Sequence, residues 1–115
     1  MDFINRWILI IKPKEPFLNW LKSIPGHDPE LTLTELREDP TTILIPELED
    51  DDDEVDEFIN KNCKTIFESE LLSSDKNKAY WPKNLTIEVL REWFEIISSS
   101  IVLDFLDQDI EKNYI

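Results

Sequence analysis

Apolar positions along this chain fall into two kinds of pattern, short unbroken runs and helical stripes. The first run is Trp7-Ile8-Leu9-Ile10-Ile11, five residues long and closed by Pro13. An unbroken run of that length predicts a strand covered on both faces and central in its sheet. Pro16 then suits the first turn of a helix, where a missing N–H costs nothing. Phe17, Trp20, Leu21 and Ile24 follow at i, i+3, i+4 and i+7, one apolar stripe that Pro25-Gly26 ends. Thr32 and Glu35 have capping-box spacing and predict a short helix from Leu33 to about Glu38. Thr42-Ile43-Leu44-Ile45, stopped by Pro46, reads as a second strand.

The longest stripe follows an acidic run. Val55, Phe58, Ile59, Cys63, Ile66, Phe67 and Leu71 share one helical face, and Asp51 to Glu54 has the cap-to-N3 spacing. Ser73 to Lys83 is a polar loop holding Tyr80, Trp81 and Pro82. Asn84 or Thr86 caps a further helix carrying Ile87, Leu90, Trp93 and Phe94. Ile96 to Leu103 reads as a strand, because three serines suit a helix interior poorly and Ile101-Val102-Leu103 is β-rich. The tail from Asp107 to Ile115 is expected to fray.

The order β-α-(α)-β-α-α-β predicts an α/β domain of α+β type, a small three-stranded mixed sheet covered by about three helices. Strands joined through a helix are expected to run parallel, with a right-handed crossover. At 115 residues, without repeats or a linker, the chain reads as one domain. An exposed sheet edge is compatible with a homodimer.

With its segments placed, the chain resembles a group of small uncharacterised bacterial proteins of about this length. The matching features are Arg6-Trp7, Lys12-Pro13-Lys14, Pro16-Phe17 with Trp20, and Leu44-Ile45-Pro46-Glu47 running into acid. Ile66-Phe67 with Leu71, Trp81-Pro82 and Glu92-Trp93-Phe94 complete the pattern. The resemblance implies a compact bacterial α/β domain. It brings no activity and no catalytic residue.

Charge narrows the function classes. Twelve Lys and Arg against 26 Asp and Glu give 12 − 26 = −14, the wrong sign for nucleic acid, whose phosphates require a basic surface. At 41% hydrophobic the chain is too apolar for a disordered acidic tail. Arg6 precedes an apolar run too short for an export signal or a membrane span, so a cytoplasmic site without membrane association is expected. Gly26 is the only glycine, which excludes glycine-rich phosphate loops and the nucleophile elbow. One cysteine and one histidine exclude an intrachain disulfide, a thiolate cluster for zinc and any mechanism with two imidazoles. A Cys63–His27 nucleophile–base pair would need both side chains in one cleft, whereas Cys63 belongs to an apolar stripe.

The densest candidate chemistry is the acid itself. Glu47 to Glu57 holds nine carboxylates, among them Glu49, Asp50, Asp51, Asp52, Asp53 and Glu54. No register gives a calcium loop, because neither the glycine nor the closing glutamate falls in place. Clustered carboxylates then offer only weak binding of Ca²⁺ or Mg²⁺, so neither a metal nor a cofactor is expected. Capping needs one or two acids, and the surplus either keeps the protein soluble or meets a basic partner, as when an immunity-type inhibitor covers a nuclease.

Tyr80 and Trp81 offer an exposed aromatic anchor for a partner, unless Trp81 folds back to lid the core. Lys12, Lys14 and Lys22 lie near the first helix, where pairing with surface carboxylates is the simpler use than holding an anion. His27-Asp28 sits in a Pro-Gly turn. The favoured reading is a non-catalytic binding or regulatory module with an acidic face for a basic protein. A small enzyme using a carboxylate acid/base pair is one alternative, and a homodimer whose acidity is only solubilising is the other.

Overall fold

The computed structural model describes residues 1–49 and 52–113. Its elements run β1 (Asp2–Phe3), β2 (Arg6–Pro13), α1 (Glu15–Ser23), α2 (Leu33–Arg37), β3 (Thr41–Pro46), α3 (Asp52–Lys61) and α4 (Cys63–Ser74). A single 3-10 turn follows (Lys78–Tyr80), then α5 (Ile87–Trp93), β4 (Phe94–Ser99) and β5 (Leu103–Asp104). The fold is α+β, with three strands in the order β3-β2-β4 and a two-stranded ribbon of β1 and β5.

The unbroken apolar run takes the central position, but only one of its faces is covered. Leu9 and Ile11 are buried against the helices, while Ile8 and Ile10, on the opposite side, are half-buried. Pairing also departs from expectation: β2 is antiparallel to both β3 and β4, so the sheet is not mixed. The reason lies in the link from β2 to β3. It holds two helices, α1 going out and α2 returning, and Thr41 pairs with Ile11 near the end of β2 where the excursion began. The parallel rule concerns a single crossing to the far end of the sheet.

Local chemistry sets most boundaries. Glu15 and Pro16 open α1, and Gly26 takes the positive φ of 95° that turns the chain after it. Thr32 Oγ1 accepts from the Glu35 N–H at 3.2 Å, and Thr86 Oγ1 accepts from Val89 at 3.4 Å. The long stripe from Val55 to Leu71 is not one helix. Asn62 divides it, donating its side-chain amide to the Phe58 carbonyl at 2.8 Å and taking a non-helical ψ of 15°, a competition with the backbone that asparagine brings to helix interiors. Phe94 leaves α5 and begins β4 opposite Pro13. The serine segment breaks after Ser99, so the expected strand to Leu103 is two strands, the second pairing with β1. Residues 107–113 hold neither helix nor strand.

One core joins all these pieces. Leu9, Ile11 and Phe94 from the sheet meet Phe17 of α1, Ile59 of α3 and Phe67 of α4. Phe94 centres an aromatic cluster, 4.9 Å from Phe17 and 5.9 Å from Phe67, the latter ring nearly perpendicular at 88°. Phe67→Ala should therefore lower unfolding free energy by about 3–5 kcal/mol in a urea titration. Thr86→Ala, which loses only a cap, should cost about 1 kcal/mol.

Candidate functional site

The acid before α3 is placed by the core beneath it. Val55 and Ile59 are buried, which turns Asp52, Asp53, Asp56 and Glu57 to the exposed side. Asp50 and Asp51 lie outside the described residues, and with them the expected Asp51 cap. Glu54 has a local role: its carboxylate accepts from the Glu49 N–H at 2.8 Å and ties the preceding segment to the helix. Glu47 and Glu49 are exposed.

Asp56 is bridged at 2.9 Å by Arg91 of α5. Beside this pair opens a cleft of about 270 Å³, lined by Asp52, Asp56, Arg91, Val55, Ile59 and Ile96 with Ser98. That is below the roughly 300–1,000 Å³ of small-molecule sites and suits an inserted side chain better than a substrate.

A second polar group lies at the end of β2. Arg37 donates to the Pro13 carbonyl at 2.8 Å and to Glu95 at 2.6 Å, and Lys14 Nζ donates to the Arg91 carbonyl at 2.9 Å. The Arg37 hydrogen bond holds the Glu95 carboxyl below its usual range, helped by the charges of Lys12 and Lys14. Lys12 stands across the ladder from Glu95, while Lys14 is taken up by the backbone of α5.

The aromatic loop and the histidine turn meet at Asp75. His27 Nε2 lies 2.8 Å from Asp75 Oδ2, and Trp81 Nε1 donates to the Asp75 carbonyl at 2.9 Å. The His27 bond, with another from the Asn77 N–H, holds the Asp75 carboxyl below its usual range. Trp81 is half-buried and packs against the core, with Lys78 Nζ 5.6 Å from its ring centre. Tyr80 remains exposed, and its carbonyl accepts from Trp20 Nε1 at 2.8 Å. Of the two expected aromatic anchors, Tyr80 presents its ring to solvent and Trp81 lids the core.

Cys63 packs against the core with Sγ 3.9 Å from the Leu85 carbonyl, whereas His27 is engaged by Asp75. The formal thiol–imidazole pair therefore gains no support. Among the described residues, no group of three His, Cys, Asp or Glu side chains is placed to hold a metal ion. Among the same residues, no helix is long and apolar enough to cross a membrane.

Glu70 went unmarked in the sequence reading. It is the one charged side chain among the described residues to be buried, at 8% exposure, and it hydrogen-bonds to Thr41. Its position completes the spacing of Cys63, Ile66, Phe67 and Leu71 on α4, the signal that could have marked it. Comparison of the chain with protein-family models, with curated proteins and with solved structures gave no match.

Burial pushes the Glu70 carboxyl above its usual range, against the smaller opposing effect of Thr41. A raised folded value makes its contribution most favourable at low pH and lost as pH rises through that value. Glu70→Gln should therefore raise the urea midpoint near pH 7, with the gain shrinking toward pH 4. Asp75 and Glu95 have the opposite sign. Their depressed values give a contribution that is full above the ordinary carboxylate range and lost as pH falls through the folded value.

Proposed function

We propose that this protein is a non-catalytic binding or regulatory module that presents the acidic start of α3 to a basic protein, as an inhibitor or immunity protein does. The observation that carries this reading is the cleft beside that helix, where Asp52 and Asp56 flank a space of side-chain size. A lysine or arginine of the partner would enter there and compete with Arg91 for Asp56. Glu47, Glu49 and Glu57 add exposed negative charge in the same stretch of chain.

Local needs do not account for that density. Glu54 secures the segment before the helix and Asp56 bridges to α5, while helix capping asks for one or two carboxylates. Crowded like charge costs folding stability, and it accelerates encounter with an oppositely charged partner and excludes acidic ones. The buried anchors Val55 and Ile59 also hold the face on a helix, which positions charge more firmly than a loop does.

The rival enzyme reading draws on Glu70, the carboxyl that burial holds up. Its hydrogen bond goes to Thr41 at the start of β3, and it is not among the residues that line the cleft beside α3. Binding is the better-supported function.

Affinity capture from the native host at low ionic strength should recover a basic protein. A variant combining Glu47→Gln, Glu49→Gln, Asp52→Asn and Glu57→Gln should keep its circular dichroism spectrum. It should bind that protein about tenfold or more weakly, a gap that narrows as salt rises. Equal capture by the variant and the parent chain would overturn the reading.

A further inference from the structure

Two apolar surfaces lie uncovered among the described residues. One is the outer face of the sheet. The core side of the sheet carries Leu9, Ile11, Ile45 and Phe94, and the strand register puts Ile8, Ile10, Leu44 and Ile97 on the other side. Leu44 is 50% exposed and Ile97 38%. An antiparallel sheet tolerates water on a polar face, but this one has aliphatic side chains at its centre.

The other surface is the ribbon made by β1 and β5. β1 leads into β2 and β5 follows β4, so the ribbon runs on from the end of the β2–β4 ladder, with the Ile4 N–H donating to the Val102 carbonyl between them. Phe3 and Phe105 are 76% and 77% exposed, and Met1, Ile101, Leu103 and Leu106 are exposed with them. At roughly 200 Å² for each large apolar side chain, these exposures leave on the order of 800 Å² uncovered. The largest apolar patch on a typical monomer is about 300–600 Å², and a standard interface buries about 800 Å² on each partner. The radius of gyration, 15.6 Å, exceeds the roughly 13 Å of a compact chain of this length, as a projecting ribbon requires.

The geometry points to a reciprocal exchange: in a two-fold homodimer, the ribbon of each copy lies across the open sheet face of the other. Both surfaces belong to one chain, and the ribbon's area is what one partner of a stable dimer buries, so a second copy is the occupant that covers both at once. Asp2 and Asp104 face each other on the side of the ribbon away from Phe3 and Leu103, so the apolar side can lie on the sheet with its acids left in water. Arg6 and Lys12 share the face of Ile8 and Ile10, where Glu95 stands opposite Lys12 and is held by Arg37. In a chain of net charge −14, this is the surface that an acidic, apolar ribbon can approach at least electrostatic cost. The ribbon continues the β2–β4 ladder through the Ile4–Val102 hydrogen bond and does not lie over its own sheet face. Exchange between two copies satisfies both surfaces and closes the assembly.

Sedimentation equilibrium of the full chain at micromolar concentration should give twice 13.7 kDa. Phe105→Asp on the ribbon and Leu44→Asp on the sheet face should each reduce the mass to that of one chain, with the far-ultraviolet circular dichroism unchanged. Ile97→Asp provides a second face variant should Leu44→Asp disturb folding. Mixed in equal amounts, the ribbon and face variants should associate again, because one junction then joins an intact ribbon to an intact face. Lys12→Glu removes little apolar area and should weaken the dimer severalfold at low salt, less at high salt. A parent chain that stays monomeric overturns the proposal. So does a Phe105→Asp variant that still dimerises, which would assign the contact to another surface, and so does a mixture no heavier than its parts.

Discussion

The structure depends on β2 being buried on one face while both of its edges are hydrogen-bonded. Leu9 and Ile11 can lie at 0% and 1% exposure because β3 and β4 satisfy the backbone groups that burial would otherwise strip of water. Every helix of the core is then arranged to complete that one face. α1 brings Phe17 and Leu21, α4 brings Phe67 and Leu71, and α5 brings Leu90. Trp93, at the end of α5, sits edge to face with Phe17 at 6.3 Å and against Phe67 at 5.5 Å, so three helices meet over the strand. The edge strand β3 is bounded by Pro40 and Pro46, which blunt further pairing where the sheet ends.

What was legible in the sequence was what neighbours along the chain decide. Thr32, Thr86 and Gly26 act within four residues of themselves, and each did what its chemistry implied. The acid of α3 was equally legible, since a helix with buried Val55 and Ile59 has only one way to turn its carboxylates. Asn62 was not, because the apolar stripe continues through it, and the break depends on which carbonyl its amide reaches. Phe94 satisfies the spacing of α5 and the pleat of β4 together, so periodicity alone could not place the boundary. Strand direction was misread for a similar reason: it depends on how many helices fill a link, and α2 is only five residues long. The polar links His27–Asp75 and Arg37–Glu95 join positions 48 and 58 residues apart, a separation no local pattern encodes.

Electrostatics divides the few cations from the many acids. Arg37 fixes α2 to the ends of β2 and β4, and Arg91 fixes α5 to α3. These bases work as cross-ties between layers, and their partners Glu95 and Asp56 are thereby neutralised. Lys64 and Glu68, one turn apart on α4, are an exposed pair at 3.8 Å. Such pairs contribute about 0–1 kcal/mol each, far less than one buried phenylalanine. The core, then, and not the charge pattern, holds the fold, and most of the acidic surface is free to serve solubility or recognition.

That freedom bears on why the chain carries so much apolar surface on its ribbon while remaining so acidic elsewhere. Each large side chain of the ribbon forgoes about 1.5–3 kcal/mol by staying in water, and Asp2 facing Asp104 adds repulsion to the strand pair that displays them. A ribbon serving only to pair β1 with β5 would be better made with polar residues and a cross-strand ion pair. Joined to a face that offers Ile8, Ile10 and Leu44, the apolar residues of the ribbon would be covered while Asp2 and Asp104, on its other side, stayed in water. The acidic start of α3 is built on the helical layer, on the other side of β2 from that face. Association through the sheet would therefore leave it accessible, and two copies would present it twice.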